Sequence, residues 1–288
     1  MQRDEHQHTG GQCSLPDGWA QIERRQARFI VFGELHGTSE APQLVGSIVC
    51  AIASRNQRVL LAIEHDATDN VALQEAWNAP LSDFRGKLQD AGWEGRSDGV
   101  ASEAMALMLS ELHPLRENRR GIGVVAFNGF VDPAQKARFA HLPGQGAAEA
   151  AEAENIISAA NAGDFDVVIV LVGTLHARRD TVEIGGARIA ALAGQLSQAG
   201  ATLGLEMRYA AGTSWNCTLR DDFDPAAGKP VTSGDVDCDN HPTTGNAQYG
   251  RSPFVHLYEA GQDPQRMHRF DGFFWVGPVT GSSPWIAE

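Results

Sequence analysis

The sequence predicts an α/β protein with a mainly parallel or mixed central sheet, helices on both faces, and an irregular, disulfide-tied C-terminal region. Three observations carry this expectation. Short, continuously apolar runs at 28–32 (RFIVF), 59–63 (VLLAI) and 167–172 (VVIVLV) alternate with helical patterns. A strand with no polar side is buried on both faces, as in a parallel sheet covered by helices. The runs stop at Gly33, Glu64 and Gly173, where the chain must turn or become polar. After Tyr209 the pattern changes, and Asp, Gly, Pro, Thr and Asn dominate to Pro253.

The elements follow in order. The strand over 28–32 leads to a helix from Pro42 to Arg55, with Leu44, Ile48 and Ile52 at helical spacing. Proline in a first helical turn sacrifices no hydrogen bond. The strand over 59–63 precedes a helix over 70–77 and a polar helical stretch over 81–89. Met105, Met108, Leu109 and Leu112 share one face of a helix over 102–112, which Pro114 limits. A strand over 122–127, an Ala- and Glu-rich helix over 147–162 ended by Gly163, and the strand over 167–172 come next. A helix over 189–196 and a strand over 201–206 continue the alternation, and the strand over 273–276 (FFWV) ties the tail to the core.

Residues 19–288 read as a single α/β domain whose 210–270 portion is loop-rich, preceded by a flexible segment over 1–18. The first residues are polar and lack the apolar core of a signal peptide. The most apolar stretch, 166–172, is far shorter than the roughly 20 residues needed to span a bilayer, so no membrane insertion is expected. The formal net charge of −13 repels phosphate backbones and anionic lipid, which argues against nucleic-acid and membrane-surface partners. Hydrophobic residues at 42% and charged residues at 20% are those of an ordinary globular chain.

Cys13, Cys50, Cys217 and Cys238 form no C-x-x-C pair and fit no zinc spacing. Cys217 and Cys238 bracket a loop with little core of its own, and Cys13 precedes the first strand while Cys50 lies on the first helix. Two disulfides, Cys13–Cys50 and Cys217–Cys238, imply a periplasmic or secreted protein whose leader is absent from this sequence. Four free thiols would instead imply the cytoplasm.

Two segments echo each other: 30–37 (IVFGELHG) and 170–177 (VLVGTLHA). Each is an apolar strand followed by Gly-x-x-His, so Gly33/His36 and Gly173/His176 occupy equivalent strand ends. The carboxyl ends of parallel strands line the ligand crevice. Glu34 lies two residues before His36, on the same side of an extended backbone, and Glu64 ends a neighbouring strand. A glutamate directly after a buried strand is costly unless a cation, proton or metal meets it. Glu40 follows His36 by four residues, on the approach to the helix.

Glu34, His36, Glu40, Glu64 and His176 are therefore the candidate catalytic residues. Two chemistries remain open. His36, Glu64, His176 and Glu34 are candidate ligands of a divalent ion (Mn, Co or Zn) with positions left for water. Alternatively, His36 is a general base on water, oriented by a glutamate, without metal. His65 and Asp66 follow Glu64 and are further candidates for the site, although one of them reads rather as a cap of the next helix, and Arg178, Arg179 and Arg208 read as partners in ion pairs. Asp235, Asp237 and Asp239 open like a calcium loop, but Asn240 and Asn246 occupy its glycine and glutamate positions. Neither a phosphate-binding Gly-x-x-x-x-Gly-Lys loop nor a Gly-x-Ser-x-Gly elbow occurs.

The segment 33–42 (GELHGTSEAP) resembles the first motif of erythromycin-esterase-like proteins and of the haem-binding ChaN-like group. The paired Gly-x-x-His and Glu64 resemble Tiki and TraB-type proteins of the same broad superfamily. The resemblance spans roughly 28–206 and implies an α/β fold with its site on one sheet edge. It places Glu34, His36, Glu64 and His176 at functional positions and Glu40 at the trailing acid of the esterase motif. It also implies either a hydrolase acting on an ester, amide or peptide bond of a small-molecule or peptide substrate, or a non-enzymatic haem- or metal-binding protein.

Overall fold

The computed structural model describes residues 13–93, 96, 98–117, 121–184, 186–220, 223, 231–259 and 269–285. Helix α1 (Trp19–Arg24) leads into strand β1 (Phe29–Glu34), helix α2 (Glu40–Ala53) and strand β2 (Val59–Asp66). Three helices follow, α3 (Asn70–Trp77), α4 (Leu81–Leu88) and α5 (Glu103–Glu117), before strand β3 (Ile122–Asn128). Helices α6 (Pro133–Phe139) and α7 (Gly146–Ala162) return the chain to strand β4 (Val167–Gly173). A small hairpin of β5 (Thr181–Ile184) and β6 (Ala187–Ala190), helix α8 (Leu192–Leu196) and strand β7 (Thr202–Ala210) come next. Strands β8 (Gly212–Leu219), β9 (Val236–Thr243), β10 (Phe254–Leu257) and β11 (Gly272–Pro278) complete the sequence of elements.

The central sheet has seven strands in the order β10-β11-β7-β1-β4-β2-β3. All neighbours run parallel except β10 and β11. Alternation along each strand divides the core. Ile30, Phe32, Leu61, Ile63, Ile169, Leu171 and Leu205 face α2, α3 and α5, packing with Val45, Leu73 and Leu109. Phe29, Val31, Leu60, Ala62, Val168 and Val170 face α7 and α8, packing with Ile156, Ala160, Leu192 and Leu196. With helices on both sides, neither strand face tolerates polarity, which is why the runs read as unbroken apolar residues. The expected fold class is the observed one.

Connectivity sets where the site lies. From β1 the chain crosses to β2 through α2 on one face; from β4 it passes to β7 through α8 on the other. Strands β1 and β4 are adjacent, in register from Phe29 opposite Val168 to Glu34 opposite Gly173. Connections that leave two neighbouring strands towards opposite faces open a crevice at their carboxyl ends.

Several expectations need correction. Helix α5 runs through Pro114 to Glu117. The proline sits in its last turn, where one lost hydrogen bond is tolerated, and Leu115 beyond it packs on the core. The predicted helix over 189–196 is a strand, β6, followed by the short helix α8. Ile189 belongs to a separate small cluster with Val182 and Ala191. The 210–270 region is more regular than expected: β8 and β9 pair antiparallel over eight positions from Gly212–Thr243 to Leu219–Val236. Helices α1 and α6 lie where no element was expected.

Both expected disulfides are present, Cys13–Cys50 and Cys217–Cys238. Of the segment expected to be flexible, 1–12 lies outside the described residues. From Cys13 onward the chain is tied down, with Asp17 bridging to Phe254. No helix among the described residues is long and apolar enough to cross a membrane.

Candidate functional site: a chain of alternating carboxylates and imidazoles

Glu34, the last residue of β1, is 4% exposed, and its Oε1 lies 3.1 Å from His36 Nδ1. The other ring nitrogen, Nε2, lies 3.1 Å from Oε2 of Glu64 near the end of β2. Glu64 Oε2 also accepts the backbone N–H of Gly173 at 2.7 Å. Its Oε1 lies 3.7 Å from Nε2 of His176, which follows β4. His176 Nδ1 lies 2.7 Å from Oε1 of Glu149 on α7. One turn further along α7, Glu152 accepts the N–H of Gly129 at 3.2 Å. The result is a row in which carboxylate and imidazole alternate along the carboxyl edge of the sheet.

Two glycines make the row possible. A Cβ at Gly173 would lie 2.8 Å from His36 Nε2 and 3.6 Å from His176 Cδ2, so a side chain there would occupy the space the imidazoles share. Gly37 has φ +71°, which turns the chain sharply after His36. Its carbonyl accepts the N–H groups of Trp215 at 2.8 Å and Ser282 at 2.9 Å, so β8 and the C-terminal segment brace the turn. The Thr174 hydroxyl donates to the carbonyls of Gly33 and Glu34, joining the two strand ends.

Burial and charge set the protonation states. Burial lowers the His36 pKa, but contact with Glu34 and Glu64 outweighs it and raises the value well above 6.5. Burial likewise pulls His176 down, and Glu149, Glu64 and Glu152 more than offset it, raising it to about 9. Burial lifts Glu34 above its ordinary value against the opposing pull of His36. For Glu64, burial is outweighed by His36, His176 and the Gly173 N–H, which hold the carboxyl below its ordinary value. Burial and the neighbouring Glu149 push Glu152 up to about 7. An ionised Glu64 between two imidazoles is the electrostatic centre of the site.

The structure brings Glu34, His36, Glu64 and His176 together. It does not bring Glu40 to them: that carboxylate accepts the N–H of Thr280, at the start of α2. His65 is buried against Trp93, with ring centroids 4.1 Å apart. Arg178 pairs with Asp180, Arg179 with Asp271 and Arg208 with Glu206. Asp235 accepts from Thr232 in a local turn.

Sequence reasoning missed Glu149 and Glu152. Both lie on the Ala-rich helix, where glutamate reads as a solvated face, yet they are 1% and 4% exposed. The available signal was their spacing: 149, 152, 156 and 160 fall on one stripe, and Ile156 and Ala160 are core residues. Among the described residues, one group of three His, Cys, Asp or Glu side chains has ligand atoms all within 4.8 Å: Glu149, Glu152 and His176. It shares His176 with the ligand set expected from sequence and differs in the rest.

No family model matches the chain, and no curated protein matches it in sequence. Solved structures do. A succinoglycan biosynthesis protein matches with a TM-score of 0.65 at 11% identity, over 95% of this chain and 94% of that one. A Bacillus cereus protein matches at 0.62 and 8% identity, over 93% of each chain. A variant of the erythromycin esterase EreC in its open conformation matches at 0.58 and 11% identity, over 91% of this chain and 95% of that one. The chain thus has the fold of the erythromycin esterase and these two further proteins, along nearly the whole length of each.

Proposed function

We propose that the protein is a hydrolase that directs water onto an ester or related acyl bond at the carboxyl edge of the sheet. The observation that carries this reading is His36 held at both ring nitrogens, by Glu34 on one side and Glu64 on the other. Glu34 holds Nδ1–H, and in the neutral ring Nε2 takes a proton from a water that enters between it and Glu64. The hydroxide so formed attacks the acyl carbon, and Nε2–H of His176 donates to the oxyanion that develops. Collapse of the tetrahedral intermediate expels an alkoxide, which takes the proton back from His36. Glu64 orients both imidazoles throughout. His36 and His176 have 32% and 24% of their side chains exposed, enough for a substrate to reach them.

The likeness to an esterase in fold supports the reaction class, and the two disulfides support a periplasmic or secreted location. The substrate class is a small molecule or peptide. The test is hydrolysis of aryl esters, alkyl esters, macrocyclic lactones and peptide amides by the purified chain. Turnover of an ester that His36→Ala abolishes is the expected result. Absence of hydrolysis across all four classes by the folded protein would overturn it.

A further inference from the structure

We propose that Glu149, Glu152 and Nδ1 of His176 form a binding site for a divalent cation at the α7 end of the carboxylate–imidazole row. Their ligand atoms already lie within 4.8 Å of one another. The two glutamates are one helical turn apart on α7 and project from the same stripe. Both are buried, at 1% and 4% exposure, and no Lys or Arg among the described residues pairs with either. Two carboxylates buried side by side demand compensating positive charge.

The second observation is the state of Glu149. Neither of its oxygens makes a hydrogen bond, although both are buried. Oε1 comes within 2.7 Å of His176 Nδ1, yet that nitrogen also lacks a properly directed hydrogen bond. The buried Glu149 carboxylate thus lies beside an imidazole nitrogen and a second carboxylate with no directed hydrogen bond to either of its oxygens, an arrangement in which an ion replacing the Nδ1 proton would gain all three ligands. Glu152 keeps the Gly129 N–H on Oε1, so its second oxygen remains for the ion and the first anchors the carboxylate.

Two oxygens and one imidazole nitrogen suit Zn²⁺, which takes mixed N and O ligands, or the more oxygen-preferring Mn²⁺, with further positions for water. Two carboxylates match its charge. An ion on Nδ1 leaves the proton of His176 on Nε2, facing Glu64, so the cation would lock the tautomer of a residue it shares with the cleft. The site does not depend on the hydrolase reading, since an ion would be held whether or not any ester is cleaved.

The experiment uses the full chain carrying His6→Ala and His8→Ala, so that the histidines of the first residues contribute nothing. After treatment with EDTA, the protein is dialysed against Zn²⁺ or Mn²⁺ and its metal content and melting temperature are measured. The expected result is about one ion per chain and a melting temperature raised by that ion. Glu149→Gln and Glu152→Gln should each weaken binding by roughly 10–100-fold or more, whereas His36→Ala should leave it unchanged. If Glu149→Gln does not fold, Glu152→Gln alone decides, with circular dichroism confirming its fold. Failure of the folded parent to retain either ion at micromolar concentrations would overturn the proposal. So would binding that survives Glu152→Gln and disappears in His36→Ala.

Discussion

Glu64 Oε2 accepts the N–H of Gly173 at 2.7 Å, immediately beyond the point where the β2–β4 ladder pairs Ile63 with Leu171. A side chain thus takes over as the next rung of the sheet, and the same oxygen meets His36. Glu64→Ala should therefore lose both structure and activity, leaving a donor without its partner at a cost of about 1–3 kcal/mol. Glu64→Gln keeps an acceptor for Gly173 but not the charge that holds two imidazoles. Its unfolding midpoint in urea should stay near that of the parent while turnover falls. A Gln variant with full turnover would reduce Glu64 to its structural role.

His36→Ala should lower kcat/KM by roughly 10²–10⁴-fold while the protein stays folded. The ring is one-third exposed and its partners are polar, so its removal opens no core cavity. Circular dichroism and steady-state kinetics on the best ester check both halves of this expectation.

The His36 pKa lies well above 6.5, because its two carboxylate contacts outweigh burial. A base must be neutral to act, so kcat/KM should rise with pH through a midpoint well above 6.5. Glu34→Gln removes one of those carboxylates, so the rising limb should move to lower pH. The same shift has a stability signature. A raised histidine pKa contributes stability that is complete below about 6.5 and is lost as pH climbs through the folded value. Melting temperature should therefore decline on the alkaline side more steeply in the parent than in His36→Ala.

Gly173→Ala tests the shared space. The added methyl would lie 2.8 Å from His36 Nε2, at the end of a side chain that can move aside. Stability should change little, while displacement of the imidazole should cost turnover on the order of 10²-fold. A full-activity Gly173→Ala enzyme would show that the approach of the two histidines is dispensable.

The two disulfides should behave differently. Cys13–Cys50 closes a separation of 37 residues and ends on a buried position of α2, so removing both cysteines should cost roughly 3–4 kcal/mol in urea unfolding. Cys217–Cys238 joins directly opposed residues of the β8–β9 ribbon, outside the central sheet. Its loss should speed hydrogen exchange within the ribbon and leave exchange in β1 and β4 unchanged.

The sheet was legible because both its faces are covered, so burial wrote itself as unbroken apolar runs. Glu34, His36, Glu64 and His176 were legible because each stands where such a run stops. Glu149 and Glu152 were not read, because glutamates on an Ala-rich helix suggest a solvated face, and only their spacing with Ile156 and Ala160 places them on the buried stripe. The β8–β9 ribbon was hidden for the opposite reason. It belongs to no core, so neither face carries apolar alternation, and its register shows only in the opposed cysteines. The strand β6 was masked by Ile189, Leu192 and Leu196, whose spacing imitates a helix although only the last two lie on one.

The ribbon meets the His36 turn through the backbone, Trp215 N–H on the carbonyl of Gly37. A joint of that kind is indifferent to side-chain identity. Side-chain changes at Asn216, Thr218, Asp237 and Asp239 that leave the strands paired should therefore leave the imidazole beside their base in place. The strand end that carries His36 is thus coupled to a peripheral ribbon by main-chain atoms, so the position of His36 is set by how that ribbon pairs rather than by what the ribbon displays.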